Sequence, residues 1–442
     1  MKDATADLTE TERQRRACDR DDLEACVAFG DLARHGVDME HDAKAAWAAF
    51  RKACTGGNNE GCVMVALFLE HGIGPVDDPA LAASFYNTAC EKGSATACNN
   101  LAQMYREGRG VEADIGQAVG LLERAHAAGL ASATYNLGTI LDAGVEGHSD
   151  PDRARALFTE ACDQDHSRAC LALGRMLFAG RGGAKDQPRA VALFSKGCEG
   201  GEPNACSWLG FMNERGLGTE ADPERAAELY DRACTGDIMF ACRNLGTMYV
   251  NGVGVARDVA RGVTLLERAV AGGDAPAAYN LGQVVETGLG GEPDPAYAAE
   301  LYESACDQGE NRACASLAAM LFLGENIAQD YGRAAALFDK ACQANDPRAC
   351  NILGDMYRKG EGVPVDATKA LALLTRACDA GNASGCMSVG TIYFTGEGVD
   401  KDLEQSLVYL SRACDGGTEE ACKLQGFVET LLEFDNPLQP DN

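Results

Sequence analysis

Apolar and small residues recur along this chain in two helical stripes that alternate and repeat every 36 residues. Positions are counted here from 0 at residues 18, 54, 90 and so on to 414. Position 7 is always Ala or Gly, from Ala25 and Gly61 to Ala421. Positions 11 and 12 usually read Leu-Gly or Leu-Ala, as at Leu101-Ala102, Leu137-Gly138, Leu209-Gly210 and Leu245-Gly246. Position 14 is apolar from Leu32 to Val428. Spacing of i, i+4, i+7 makes positions 7, 11 and 14 one face of a first helix, and the small residues at 7 and 12 let a neighbouring helix come close. Position 18 is Gly in all eleven full repeats, from Gly36 to Gly396, a left-handed C-terminal cap free of Cβ clash. Position 24 is Asp in all eleven, from Asp42 to Asp402, and Pro79, Pro151, Pro223 and Pro295 follow four of them. An Asp N-cap with Pro in the first turn starts a second helix. That helix carries Ala at 28, Leu or an aromatic at 31 and 32, and Ala at 35, as in Ala226, Leu229, Tyr230 and Ala233. A fixed period of this kind predicts an all-α stack of helical hairpins in one elongated domain, overriding the several globular domains that length alone suggests.

All 20 cysteines lie on the same lattice, at positions 0 and 8. The pairs are Cys18-Cys26, Cys54-Cys62, Cys90-Cys98, Cys162-Cys170, Cys198-Cys206, Cys234-Cys242, Cys306-Cys314, Cys342-Cys350, Cys378-Cys386 and Cys414-Cys422. Only two lattice points lack them, holding His126 with Thr134 and Val270 with Ala278. Where the first cysteine is missing, the second is missing too, as for disulfide partners. Bridging to the next repeat instead would orphan Cys98 and Cys162, or Cys242 and Cys306. Two other readings are cysteine as a small buried residue, which does not account for matched loss, and zinc, which favours tighter spacing and further ligands. Closing a nine-residue loop between two helices contributes about 2–3 kcal/mol in the chain-entropy model. The two repeats without cysteines are expected to be the softest joints.

The pattern A-C-x7-C-x2-LG-x2-Y-x2-G-x-GV-x2-D-x3-A-x2-LY-x2-AC resembles Sel1-like repeats, and more narrowly their cysteine-rich Helicobacter type. It is carried by Ala233-Cys234, Cys242, Leu245-Gly246, Tyr249, Gly252, Gly254-Val255 and Asp258 and covers residues 18 to about 430. The resemblance implies an α-solenoid, a right-handed superhelix of helical hairpins related to tetratricopeptide arrays. It also implies a disulfide across each C-x7-C pair, a periplasmic or secreted address, and peptide or protein binding on a concave face. Some relatives carry a β-lactamase or penicillin-binding label, and another is a mitochondrial intermembrane-space assembly factor. Loop motifs degrade at residues 143–149 (AGVEGHS) and 324–329 (GENIAQ), and Leu432 stands where the array glycine belongs. The expected organisation is a capping segment over 1–17, eleven repeats over 18–413, a capping helix over 414–434 and a disordered tail over 435–442. Thr9 and Glu12 are read as a capping box.

Net charge −28, from 39 basic and 67 acidic residues, argues against nucleic acid or an anionic membrane surface as partner. No run of apolar residues is long enough to span a membrane. Met1–Arg16 has no apolar core and does not read as a signal peptide, whereas paired cysteines call for an oxidising compartment. The expectation is an extracytoplasmic protein, periplasmic or secreted, whose signal is absent from this chain. The alternatives are a mitochondrial intermembrane space, or the cytosol with reduced thiols.

Candidate binding residues sit on the first helices. Position 10 holds Asn100, Asn136, Asn244 and Asn280, whose amides both donate and accept and so suit gripping a peptide backbone. Equally, these asparagines can bond the adjacent helix within the array. Position 9 adds Tyr135, Arg243 and Tyr279, with Arg106, Arg175, Arg312, Arg348, Trp208 and Phe211 nearby. VGLLERA…YNLG over 119–138 answers VTLLERA…YNLG over 263–282, which points to a duplicated four-repeat block or to two equivalent sites. His35 and His71 share a position in adjacent repeats, but metal needs further ligands, and edge exposure is the plainer reading. The aspartates at position 24 are read as caps rather than a catalytic row. No S-x-x-K, H-E-x-x-H, G-x-S-x-G or P-loop is present. The chain is therefore read as a monomeric scaffold binding a protein or extended peptide, with no catalytic residue, metal or cofactor. The alternatives are a β-lactamase-like or penicillin-binding hydrolase and a cytosolic adaptor with reduced thiols.

Overall fold

The computed structural model describes residues 8–73 and 76–435, the last two by their backbone alone. The described residues form 24 α-helices and one short 3-10 turn, Val145–Gly147. The chain divides into two compact units, Met1–Asp222 and Pro223–Asn442. In a stack each repeat touches only its neighbours, so no change of composition marks such a division. Unit 1 contains α1 (Glu10–Asp19), α2 (Leu23–His35), α3 (Ala43–Thr55), α4 (Asn59–Glu70), α5 (Pro79–Glu91), α6 (Ala95–Glu107), α7 (Ile115–Ala127), α8 (Ala131–Ala143), α9 (Pro151–Asp163), α10 (Ser167–Ala179), α11 (Gln187–Glu199) and α12 (Pro203–Arg215). Unit 2 contains α13 (Pro223–Thr235), α14 (Met239–Asn251), α15 (Val259–Ala271), α16 (Ala275–Thr287), α17 (Pro295–Asp307), α18 (Asn311–Leu323), α19 (Tyr331–Gln343), α20 (Pro347–Lys359), α21 (Ala367–Asp379), α22 (Ala383–Thr395), α23 (Leu403–Asp415) and α24 (Glu419–Asp435). Within each unit every helix packs on the one before it and the one after it.

The local signals act where the sequence puts them. Asp42, Asp78, Asp114, Asp150, Asp186, Asp258, Asp294, Asp330, Asp366 and Asp402 each accept the backbone N–H three residues on. Gly36 and Gly396 close their helices in the left-handed region (φ 69° and 77°), whereas α4 ends one residue early, at Glu70, with His71 as its C-cap and Gly72 after it. Thr9 and Glu12 form the expected capping box on α1. Second helices run one residue past the cysteine at position 0, as in α3, which ends at Thr55. The tail expected over 435–442 lies outside the described residues, apart from Asp435, which ends α24.

All ten disulfides are formed as paired above, with Cα–Cα separations from 4.4 to 4.8 Å. No described cysteine is free. A further brace crosses several of these joints. A basic residue at position 34 donates to the carbonyl of the cysteine at position 0 of the same repeat: Lys52 to Cys18 (2.6 Å), Arg124 to Cys90 (2.9 Å), Lys196 to Cys162 (2.7 Å) and Arg412 to Cys378 (3.1 Å). Cations are favoured at helix C-termini, where carbonyls lack partners. Where cysteines are missing, His126 Nδ1 lies 2.9 Å from the hydroxyl of the fully buried Thr134.

Two glycine positions set how closely helices and loops pack. At position 12, a Cβ on Gly138 or Gly282 would come within 2.7 or 2.6 Å of the Phe158 or Tyr302 ring, which occupies position 32 of the same repeat. At position 20, Gly110 adopts φ +68°, and a Cβ there would lie 2.3 Å from the carbonyl of Pro79, the first residue of α5. Gly182, Gly254 and Gly362 meet Pro151, Pro223 and Tyr331 in the same way. Gly110→Ala is therefore expected to cost about 2 kcal/mol, from left-handed strain and a backbone contact that cannot yield. Denaturant unfolding, with hydrogen exchange resolving residues 79–115, checks this.

Candidate functional site

The first-helix residues singled out above fall into three local arrangements. In unit 1, Asn136 on α8 donates to Asn99 Oδ1 (2.8 Å), and Asn99 in turn donates to Asn100 Oδ1 (3.3 Å). Two position-10 asparagines are thereby joined through a position-9 side chain. In unit 2, Asn280 donates to Thr247 Oγ1 on the preceding first helix (3.2 Å). Asn244 is half-buried on α14. Each such bond uses one of an amide's donors and leaves its other hydrogen-bonding capacity available.

The aromatic and basic candidates are more unevenly placed. The Tyr135 ring stacks on His166 (4.8 Å between centroids) and tilts against Phe158. His166, which caps α10 through its ring nitrogen, titrates below the ordinary histidine range, chiefly through burial and then through the Arg168 charge. Trp208 packs among Phe178, Phe194 and Phe211. Arg243 is tied down: it pairs with Asp274 (2.9 Å), with both side chains at most 15% exposed, and lies over the Phe240 ring. Arg106 meets Glu107 (3.7 Å), and Arg175 is exposed on α10.

Tyr279, Arg312 and Arg348 come together at one place in unit 2. Arg312 lies 4.6 Å over the Tyr279 ring and pairs with Glu310, the N-cap of α18. That pair lowers the Glu310 pKa and raises that of Arg312. These residues edge a recess of about 480 Å³ between α16, α18 and α20, floored by Phe338 and walled by Ile352. Its depth comes from α18, where positions 9, 10 and 13 are Ala315, Ser316 and Ala319. The same positions on α16 hold Tyr279, Asn280 and Gln283.

A second recess, also about 480 Å³, shares Ser316 and Ala319 with the first and continues past Met320 and Leu323 to Glu286, Glu325 and Asn326. Its wall opposite α18 is Pro293 and Pro295. Glu286 accepts the Tyr302 hydroxyl (2.7 Å). Burial first, and the Glu286 carboxylate second, push the Tyr302 pKa well above the ordinary tyrosine range. The small-residue run on α18 did not stand out in the sequence. Its signal was there: one repeat is small at three groove positions that are larger in the repeat before it.

The profile of the Sel1 repeat matches residues 59–94, 95–130, 131–166, 167–202, 203–237, 240–274, 275–310, 311–346, 347–382 and 383–418. Among solved structures, c5321, a protective antigen of uropathogenic Escherichia coli displaying an SLR fold, is 23% identical. That match covers 96% of this chain and 91% of that one with a TM-score of 0.79. A Sel1 repeat protein from Oxalobacter formigenes is 25% identical over 75% of this chain and 94% of its own, with a TM-score of 0.58. Cysteine rich protein B of Helicobacter pylori is 30% identical over 29% of this chain and 92% of its own, with a TM-score of 0.25. No curated protein matches this chain.

Proposed function

The chain belongs to the Sel1 repeat family, and from that premise we propose that it is a disulfide-stapled scaffold that binds an extended segment of a partner protein along its first helices. The observation that carries this reading is the pair of adjoining recesses in unit 2, which share Ser316 and Ala319. A run of recessed, mainly apolar floor with polar groups at its edges suits a peptide whose side chains drop in while its backbone meets donors and acceptors. Tyr279 edges the floor in unit 2, and Asn280 is its neighbour in sequence on α16. Asn100, Asn136, Tyr135, Arg106 and Arg175 form the corresponding face of unit 1, and Asn244 and Arg243 that of α14.

Ten disulfides support an oxidising, extracytoplasmic setting. No described helix is long and apolar enough to cross a membrane. Residues 1–17 and 414–434 are proposed as the caps of the array. Gly426 on α24 supports this, since a Cβ there would meet nothing within 4 Å.

The test is a selection of short random peptides on the full oxidised chain, followed by Ala319→Trp. An indole at that shared point fills both recesses without entering the helix–helix core, because Ala319 lines the open surface. Selected peptides are expected to bind Ala319→Trp at least tenfold more weakly. Unchanged binding, or no peptide selected, would sink the reading.

A further inference from the structure

Position 16 of a first helix and position 19 of the next repeat form a recurring ion pair. Glu70 takes Arg109. Asp142 takes Arg181 at 2.6 Å. In a third place the polarity is reversed, Arg358 meeting Glu397 at 3.2 Å. At the recess between α16 and α18 the same two positions are Glu286 and Glu325. Both are acidic, and among the described residues neither pairs with a cation.

The loop around Glu325 also differs from most of its counterparts. In six other repeats position 20 is a glycine pressed against the first residue of the preceding second helix, with no room for a Cβ, as Gly110 is against Pro79 and Gly254 against Pro223, whereas Asp38, Glu146 and Gly290 do not make that contact. Here position 20 is Asn326, at φ +66°, and the residue it would press on is Pro295. Asn326 carries a side chain where those six glycines have none, and Asn326 and Pro295 both line the recess. The degraded GENIAQ stretch thus places an acid where Arg109 and Arg181 stand in two other repeats, and a non-glycine residue at position 20.

We propose that the Glu286–Glu325 end of this recess accepts a basic side chain, arginine or lysine, from the bound segment of a partner. The inference rests on the peptide-binding reading above and names the chemistry one of its subsites takes. The partner's cation occupies the place that Arg109 and Arg181 fill from within the chain at the equivalent sites. Pro295, Met320 and Leu323, the last 57% exposed, line the approach and cover the methylene stem of such a side chain. A guanidinium offers the planar donors that two carboxylates and the Asn326 amide can share. A divalent ion is the less suited occupant, because no group of three or more ligating side chains gathers among the described residues.

The experiment sequences the peptides selected on the full chain and measures their affinity for Glu325→Arg. That variant rebuilds the internal pair with Glu286 after the pattern of Glu70 and Arg109, so the fold is kept while the chain's own guanidinium plugs the site. Selected peptides are expected to share a basic residue, to bind Glu325→Arg about tenfold or more weakly, and to lose affinity as salt is raised. The midpoint of unfolding of the variant should be no lower than that of the parent. Peptides that lack a basic residue, or that bind Glu325→Arg as well as the parent while still failing on Ala319→Trp, would overturn this inference and leave the groove reading standing. A calcium titration with saturable heat that disappears in Glu325→Gln and competes with the peptides would assign the site to a metal ion instead. If no peptide is selected, both readings fall.

Discussion

Reduction of the ten disulfides is expected to convert this protein from a folded array to a largely unfolded chain at room temperature. Each bridge closes a loop between residues eight apart in sequence. By chain entropy such a loop contributes about 2–3 kcal/mol, so the set contributes roughly 20–30 kcal/mol. Folded domains typically hold only about 5–15 kcal/mol in reserve. Most of the cysteines are buried, Cys26 and Cys90 completely, so reductant has little access to the native state. The protein should therefore be reduced in denaturant and returned to buffer with reductant present. Far-ultraviolet circular dichroism should then show most of the helical signal gone, and the oxidised control should recover it. Retention of full helicity by the reduced chain would mean that packing alone holds the stack. In the oxidised protein, hydrogen exchange should be fastest in residues 126–161 and 270–305. One of those joints has only the His126–Thr134 bond and the other only Val270 and Ala278 where the bridges belong.

Phe194→Ala is expected to be the most damaging single substitution in unit 1, at about 3–5 kcal/mol. The ring is completely buried. It fills the notch made by Gly174, where a Cβ would lie 2.5 Å from the Phe194 ring, and its other face stacks on Trp208 at 5.6 Å. Truncation leaves a void lined by α10 and α12, and neither helix can close on it while its own disulfide holds it to the helix before. The notch and the ring are complementary, so their substitutions should not add. Gly174→Ala alone drives a methyl into the ring and destabilises. In the Phe194→Ala background the same methyl enters empty space and should recover part of the loss. Because an array need not unfold in one step, the measurement is a double-mutant cycle read by hydrogen exchange over residues 167–211. Simple additivity would show that the two residues do not share one packing site.

Most of the backbone organisation was legible from local chemistry. An Asp followed by Pro caps a helix whatever lies beyond it, and a glycine that must take positive φ ends one. Asp150 with Pro151 and Gly252 needed no knowledge of the rest of the molecule. The cysteine pairs were legible because their matched loss at 126 and 270 identified the partner. Other features needed sequence-distant partners. Arg243 reads as a groove cation until Asp274, 31 residues on, is seen to hold it. Asn136 reads equally as a ligand amide or as a bond within the array until Asn99 is seen beside it. The cations at position 34 cap carbonyls 34 residues earlier, and nothing near Lys52 or Arg412 in sequence announces it.

The candidate site divides along the same line. The sequence alone determined the repeat, its helix boundaries, its staples and the stretch where the loop motif fails, because each depends on residues within one turn or one hairpin. Only the tertiary structure decided that Ala315, Ser316 and Ala319 lie at the bottom of a recess, and that Glu286 and Glu325 line the same opening without a cation. Those properties belong to pairs of helices from successive repeats. They depend on which side chains a 36-residue offset brings face to face, as it brings Pro295 and Asn326 to one opening from successive repeats.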